Sequence, residues 1–198
     1  MAVVYIIRHG ETPYNVMEIL TGRGSDPELT ESGIAQANRA ARHLHENYVD
    51  HIELIVSSNM TRTNQTAEII NQLLQKPMLY DKDIQEIDRG GFEGHSKHYA
   101  LPIINALQPH ESHPIHGGES LNNFQERTTL AMCEYFKMSE KAILLVSHGF
   151  VIEKVLEFFT EDQVQAHNAH VFTLNPEEID LAGKCRTDEQ NSSNSEEL

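Results

Sequence analysis

The sequence has few basic residues and no long apolar run. Its 198 residues include 15 Lys and Arg against 30 Asp and Glu, which gives a formal charge of -15. So acidic a chain lacks the basic face that general nucleic-acid binding requires, and we expect no nucleic-acid partner. No apolar run approaches the roughly 20 residues that span a bilayer. We therefore expect no membrane association.

Cysteine is also scarce, because the chain contains only Cys133 and Cys185. Two cysteines far apart, without neighbouring metal ligands, do not indicate a disulfide framework and fit a reduced compartment. The first residues lack a basic stretch followed by a cleavable apolar segment. We therefore expect unpaired cysteines, no secretory leader and a cytoplasmic location.

The remaining composition is that of one globular domain with a short tail. Apolar residues make up 39% and charged residues 23% of the chain, which is ordinary for a globular protein. After Pro176 the chain has seven acidic and two basic residues and few apolar ones. We predict a domain over residues 1–175 and an acidic, flexible C-terminal tail over residues 176–198.

The most informative stretch is residues 3–7, whose five apolar residues run directly into Arg8, His9 and Gly10. An apolar run without alternation predicts a strand buried on both faces, as in a parallel sheet. Gly10 permits a sharp turn. Arg8 and His9 would then stand at the carboxyl end of the strand, where open α/β sheets bind ligands. The simpler alternative is that His9 packs in the core and Arg8 pairs with Glu11.

Strands and helices alternate along the chain, which predicts an α/β fold with a mainly parallel central sheet. Residues 11–29 are predicted to form a loop. Residues 84–118 have the least regular pattern, which is typical of binding loops and lids. Further strands are predicted at residues 52–56, 78–80, 142–146 and 171–174, and helices begin near Thr30, Ser58, Ser120 and Gly149.

Two more predicted strands end in polar residues, Ser57-Ser58 and Ser147-His148-Gly149. Because the carboxyl ends of parallel strands share one edge of a sheet, we expect these residues to converge with Arg8. Arg62 follows Ser58 near the start of the next helix. Arginines beside a helix N-terminus are suited to a phosphate-like dianion. The sequence therefore predicts an anion pocket at this edge.

These motifs occur in the order found in the histidine phosphatase superfamily, also called the phosphoglycerate mutase-like family, which the chain resembles up to about residue 175. The resemblance implies a three-layer α/β/α sandwich. The matching blocks are Arg8–Thr12 with Asn15, Gly22–Thr30, Ser57–Ala67 with Arg62, Glu86 with Gly90–Gly94, Gly118–Ser120 and Ser147–Gly149. Three positions where the family often has proline differ here, namely Glu28, Asn59 and His116.

The resemblance also implies residue roles. The neutral imidazole of His9 would attack phosphorus and form a phosphohistidine, and Glu86 would protonate the leaving oxygen and then activate water. Glu93 and Glu119 are alternative acids. The implied catalytic residues are His9, Arg8, Arg62, Glu86 and His148. The implied substrate contacts are Arg8, Asn15, Thr21, Gly22, Arg23, Arg62, His148 and Gly149.

The partner of such a site would be a small phosphorylated metabolite. The arginines and His148 would stabilise the transferring group, so we expect no metal or cofactor, except a bisphosphoglycerate primer in a mutase. Histidines crowd the irregular stretch and could bind a metal, but we expect them to border the pocket and help select the substrate. They are His95, His98, His110, His113 and His116.

Three functions remain open at this point. The chain is compact, whereas the cofactor-dependent mutases of the family carry inserted segments over the site. This favours a phosphomonoester hydrolase. The alternatives are a phosphoglycerate mutase that uses the same intermediate and a non-catalytic regulatory protein that binds a phosphorylated ligand. The sequence does not indicate an oligomeric state.

Overall fold

The computed structural model describes residues 1–107, 113–114 and 117–185. The described chain has strands β1 (Val4–Arg8), β2 (Ile52–Ser58), β3 (Met78–Asp81), β4 (Ala142–Ser147) and β5 (Val171–Leu174). Its α-helices are α1 (Pro13–Val16), α2 (Glu31–Tyr48), α3 (Thr61–Leu74), α4 (Lys97–Leu107), α5 (Leu121–Met138), α6 (Gly149–Thr160) and α7 (Leu181–Lys184). Short 3-10 helices cover Gly90–Phe92 and Pro176–Glu178.

The five strands form one sheet in the order β3-β2-β4-β1-β5. The pairs β3–β2, β2–β4 and β4–β1 are parallel, and β5 runs antiparallel to β1. The predicted α/β fold with a mainly parallel sheet is therefore confirmed. Its three central strands all end at the same edge.

Side chains of β1 alternate between two cores on opposite faces of the sheet. Val4 and Ile6 pack in a core with residues of α5 and α6, whereas Tyr5 and Ile7 pack in a core with residues of α2 and α3. Because a strand sends successive side chains to opposite faces, one uninterrupted apolar run serves both cores. This arrangement is the three-layer α/β/α sandwich.

Two glycines allow helix α2 to approach the loop that comes after β1. A Cβ atom on Gly10 would lie 2.5 Å from the Gly33 carbonyl oxygen, and one on Gly33 would lie 2.1 Å from the Glu11 carbonyl oxygen. Thr30 caps the helix by accepting a hydrogen bond of 2.9 Å from the Gly33 amide. The helix start therefore supports the turn that carries His9.

Two stretches predicted to be irregular contain helices. Helix α1 lies within the predicted loop at residues 11–29, and α4 lies within residues 84–118 despite Pro102 in its interior. Helix α4 forms because Ala100 and Ile104 bury their side chains against Leu20 and Phe92 in a separate apolar cluster. This packing outweighs the weak local signal.

The expectation of unpaired cysteines is wrong, because Cys133 in α5 and Cys185 form a disulfide across 52 residues of sequence. Spacing along the chain could not reveal this pair, since folding brings the end of α7 against α5. Leu181 packs into the main core, so the described part of the predicted tail contacts the domain. Residues 186–198 lie outside the described residues. No described helix is long and apolar enough to cross a bilayer.

Candidate active site

Three adjacent strand ends bring the predicted site residues together. Arg8 pairs with Ser147 in the β1–β4 register, and the amide of His9 donates a 3.0 Å hydrogen bond to the Ser147 carbonyl. The ring centroids of His9 and His148 are 5.4 Å apart. The sheet edge thus holds two imidazoles next to Arg8.

His9 is fixed in one tautomer. Its side chain is 3% exposed, and Nδ1 lies 2.7 Å from the Gly10 carbonyl oxygen. Because a carbonyl only accepts, Nδ1 carries the proton and Nε2 keeps its lone pair. Burial lowers the pKa of His9 well below 6.5, and the charges of Arg62 and Arg8 lower it further. The structure therefore maintains a neutral imidazole, the form that can act as a nucleophile.

His148 is fully buried immediately before α6. Its Nε2 lies 2.9 Å from the Ser58 hydroxyl, and its Nδ1 has no hydrogen-bond partner among the described residues. Burial lowers the pKa of His148 well below 6.5, and the charge of Arg62 adds to this effect. If Ser58 donates to Nε2, the neutral ring presents Nδ1–H as a donor to a ligand.

Arg8 is held by the loop before β5. Its Nη1 donates a 2.6 Å hydrogen bond to the Ala166 carbonyl, and a Cβ atom on Gly149 would lie 3.4 Å from the guanidinium. Its Nε is buried without a partner in the described part of the chain. Burial lowers the pKa of Arg8, and the negative charge of Glu86 opposes that shift. The cation therefore stands beside the first residue of α6 with an unused donor.

Arg62 is 1% exposed and connects α3 to the loop before α2. Its Nη1 lies 2.8 Å from the Ser25 carbonyl and 3.4 Å from an Asp26 carboxylate oxygen, and its Nη2 lies 3.3 Å from the Gly22 carbonyl. Its Nε is buried and unpaired within the described ranges. Burial lowers the pKa of Arg62, again against the charge of Glu86.

Glu86 is 8% exposed, and its negative charge acts on both Arg8 and Arg62. Its two carboxylate oxygens accept hydrogen bonds from the amides of Ile87 at 3.0 Å and Phe150 at 3.3 Å. Arg127 holds the surrounding backbone by donating to the carbonyls of Asp83, Gln85 and Glu86. The carboxylate is thus fixed between its own loop and the start of α6.

The two alternative acids, Glu93 and Glu119, both form hydrogen bonds with the surrounding loops. Glu93 accepts hydrogen bonds from the amides of Gly24 at 3.1 Å and Arg89 at 3.2 Å. Glu119 binds Arg127 at 2.7 Å and Arg23 at 3.2 Å. Burial raises the pKa of Glu119, but its hydrogen bonds from Arg127 and the nearby charges outweigh burial and lower it.

The other predicted contacts are distributed around the same loops. The Asn15 side-chain oxygen accepts from the Thr12 amide at 3.1 Å, which closes a capping box on α1. Gly22 supplies its carbonyl to Arg62, and the half-buried Thr21 precedes it. Arg23 points to Glu119 rather than into a contact with His9. Gly149 begins α6 next to Arg8.

Several neighbours of the site have no signal in the sequence. The Asn168 amide donates to the His9 carbonyl at 2.9 Å and to the Asn15 side-chain oxygen at 3.3 Å. Glu153 in α6 accepts from the amide of Ala166, the residue whose carbonyl holds Arg8. The Arg89 guanidinium carbon lies 4.4 Å from the centroid of the Phe150 ring, and the Phe150 amide donates to Glu86. Burial lowers the pKa of Lys97, and the charge of Arg8 lowers it further. Arg89 lies inside the block that runs from Glu86 to Gly94. Asn168, Glu153 and Lys97 occur singly, with no motif around them, so only the fold reveals them.

Three of the five histidines in the irregular stretch, His95, His98 and His113, lie within the described residues. His95 packs against Tyr99 with ring centroids 5.7 Å apart. No group of residues suited to hold a metal ion occurs within residues 1–107, 113–114 and 117–185. His110 and His116 lie outside the described residues.

Several known proteins have sequences and folds similar to those of this chain. A sequence model of the histidine phosphatase superfamily (branch 1) matches residues 4–181. A probable phosphoglycerate mutase, GpmB, from Salmonella choleraesuis is 30% identical over 161 residues, which cover 77% of this chain and 72% of that protein.

Two solved structures extend the comparison to the fold. YhfR from Bacillus stearothermophilus aligns with a TM-score of 0.74 at 26% identity, over 88% of this chain and 91% of that one. A phosphoserine phosphatase from Entamoeba histolytica, solved with 3-phosphoglyceric acid, aligns with a TM-score of 0.72 at 26% identity, over 87% and 90% of the two chains. The chain therefore belongs to the histidine phosphatase superfamily, branch 1, a group of phosphatases and mutases that transfer phosphoryl groups.

Proposed function

We propose that this chain is a phosphomonoester hydrolase that works through a phosphohistidine on His9. The observation that carries the proposal is the hydrogen bond from His9 Nδ1 to the Gly10 carbonyl. It fixes the imidazole with its Nε2 lone pair free, in a buried site with two arginines. A neutral, oriented imidazole surrounded by cations is suited to attack a phosphate dianion.

In the first step, the His9 Nε2 lone pair attacks phosphorus, and the bond from phosphorus to the leaving oxygen breaks. Glu86 enters this step as the carboxylic acid, having taken up one proton as the substrate binds; it gives that proton to the leaving oxygen, and the alcohol departs. Arg8, Arg62 and Nδ1–H of His148 bind the phosphoryl oxygens, where charge develops in the transition state. The unpaired donors of these three side chains support this assignment.

In the second step, water attacks the phosphohistidine. The Glu86 carboxylate takes a proton from the water, the nitrogen–phosphorus bond breaks, and its electron pair returns to Nε2 of His9. Inorganic phosphate leaves, and Glu86 is protonated again. Every group in the cycle returns to its starting state without a redox partner.

The proposed substrate is a small phosphorylated metabolite. The phosphoserine phosphatase of similar structure was solved with 3-phosphoglyceric acid, which supports this class. The protein's own cations balance the transferring group, so the proposal includes no metal. Hydrolysis is expected to continue in EDTA, and its loss there, with restoration by a divalent cation, would contradict this part.

The test is hydrolysis of p-nitrophenyl phosphate by the wild type and by the His9→Ala and His45→Ala variants. The wild type and the variant of exposed His45 should turn over alike, whereas His9→Ala should lose about 1,000-fold or more in kcat. Rapid quenching with a labelled substrate should place an acid-labile label on His9. Equal trace rates in all three proteins would instead fit a phosphate-binding protein without catalysis.

A mutase that retains the phosphohistidine is the second candidate, favoured by the likeness to GpmB. Incubation with 3-phosphoglycerate and a bisphosphoglycerate primer separates the two. Release of free phosphate supports the hydrolase. Formation of 2-phosphoglycerate without phosphate release would identify a mutase.

A further inference from the structure

Arg127 in helix α5 uses every hydrogen-bond donor of its guanidinium on other groups of the protein. A guanidinium has five N–H donors, and each of them makes a hydrogen bond here. Nε and Nη2 bind the two carboxylate oxygens of Glu119 at 2.7 and 2.8 Å. The other three donors bind the carbonyls of Asp83 at 2.7 Å, Gln85 at 2.9 Å and Glu86 at 3.3 Å. The side chain is 14% exposed, so these contacts are largely shielded from water.

The carbonyls that Arg127 binds lie in a segment without regular structure. Residues 82–89 form neither helix nor strand, so no ladder of backbone hydrogen bonds fixes their path. The Ser147 hydroxyl donates to the Ile84 carbonyl at 2.8 Å. Side chains thus hold four consecutive carbonyls, those of residues 83–86, and Arg127 holds three of them. The main chain that carries the proposed acid therefore takes its path largely from one side chain.

Glu119 fixes the guanidinium of Arg127 from the opposite edge. The Glu119 amide donates to the Asp88 carbonyl at 2.9 Å, and its carboxylate also binds Arg23 at 3.2 Å. Two parallel hydrogen bonds between an arginine and a carboxylate fix the plane of the guanidinium. The edge of Arg127 that faces the carbonyls is therefore held in one orientation.

We propose that Arg127 positions Glu86 for proton transfer to the leaving oxygen and thereby determines which phosphate esters the site can hydrolyse. The inference rests on the proposed function, in which Glu86 is the acid. Because protein groups occupy all five donors of Arg127, it is a positioning residue and not a catalytic one.

The effect of such a residue depends on the leaving group. A proton moves to the leaving oxygen along a short hydrogen bond, so a small displacement of the carboxyl group weakens the acid strongly. An ester with a weakly basic leaving oxygen needs little help from an acid, whereas an alkyl ester depends on it fully. Loss of Arg127 should therefore slow esters in the order of the basicity of their leaving oxygens.

Three phosphate esters that share an aromatic ring test this order. The leaving oxygen becomes more basic from p-nitrophenyl to phenyl to benzyl phosphate. The ratio kcat/KM reports only the steps up to departure of the alcohol, so the second role of Glu86 as a base does not enter. In Arg127→Met, kcat/KM should fall about 100-fold for benzyl phosphate and about threefold or less for p-nitrophenyl phosphate, with phenyl phosphate between them. Glu86→Gln should show the same order, and adding Arg127→Met to it should change the order little.

Two further variants separate positioning from damage to the fold. Arg127→Lys keeps the positive charge but has three donors instead of five, so it should recover only part of the benzyl phosphate rate. The matched control is Thr128→Ala, because buried Thr128 donates to the carbonyls of Phe124 and Gln125 in its own helix. It should show no dependence on the leaving group. Equal losses for all three esters in Arg127→Met, or no loss, would overturn the inference.

Amide hydrogen exchange over residues 83–88 tests the positioning without turnover. Exchange there should be about 10-fold faster in Arg127→Met than in the wild type and unchanged in Thr128→Ala. Unchanged exchange in Arg127→Met would overturn the inference even in an active enzyme. Faster exchange in a protein whose wild type and His9→Ala variant show equal trace rates would support the positioning of residues 83–88 and overturn only the proposed function.

Discussion

Lowering the pH should destabilise this protein through its two buried imidazoles. His9 and His148 are 3% and 0% exposed, and burial lowers the pKa of each well below 6.5. Below that value the unfolded chain binds two protons that the folded chain does not. The stabilisation is therefore complete above the unfolded pKa and is lost as the pH falls below it.

The size of the effect can be worked out from linkage. At about pH 5.5, one unit below the pKa of a histidine in the unfolded chain, protonation of the unfolded chain lowers the free energy of unfolding by about 3 kcal/mol for both histidines together. This value applies when both rings stay neutral in the folded state. Such a loss is a large fraction of the stability of an ordinary domain. It should be visible as a lower urea midpoint with an unchanged m-value.

Urea unfolding at about pH 7.5 and about pH 5.5 provides the measurement. The difference between the two pH values should shrink by about 1.4 kcal/mol in His9→Asn and in His148→Asn, because each variant removes one titrating ring. The carboxylates contribute the same amount to the pH difference of every variant, so their contribution cancels when a variant is compared with the wild type. The exposed His45→Asn variant is the control and should keep the full difference. A wild-type-sized difference in both site variants would refute the reasoning.

Three further predictions concern the supports of the site. Replacing Cys185 with Ser should lower the free energy of unfolding by up to about 4 kcal/mol, as loop entropy predicts for a closure of 52 residues, measured by urea unfolding without reductant. The Asn168→Ala variant should lower kcat about 10-fold with little change in the unfolding midpoint, because the His9 carbonyl loses its side-chain donor. An unchanged kcat would show that Asn168 does not position His9. Gly33→Ala should lower the free energy of unfolding by about 1–3 kcal/mol, because the new Cβ would meet the Glu11 carbonyl, although alanine favours helices. A higher melting temperature would contradict this contact.

The positions of the strand ends could be predicted from the sequence because each strand is marked by its own local run of apolar residues. Uninterrupted apolar runs indicate strands buried on both faces, and parallel strands bring the residues after their carboxyl ends to one edge of the sheet. His9, Arg8 and His148 therefore could be expected to meet, and the structure brings them together. Their roles in catalysis remain predictions.

The remaining features depend on contacts between distant parts of the chain. Helix α4 contains Pro102 and is stabilised by packing on Leu20 and Phe92, so its local pattern gives little indication of a helix. The disulfide requires α7 to reach α5. Asn168 is one amide in a loop, and its hydrogen bond to the His9 carbonyl exists only after β5 pairs with β1.

The place of β1 within the sheet has a consequence for biosynthesis. Among the five strands of this sheet, β1, which leads into His9, leaves the ribosome before the others, yet its neighbours on both sides are the last two strands, β4 and β5. Until residues 142–174 emerge, the edges of β1 have no native partner, and Arg8 lacks the carbonyl of Ala166. Nascent chains that stop before β5 should therefore carry every residue of the motif after β1 and still lack the proposed activity, which can appear only once β5 has emerged.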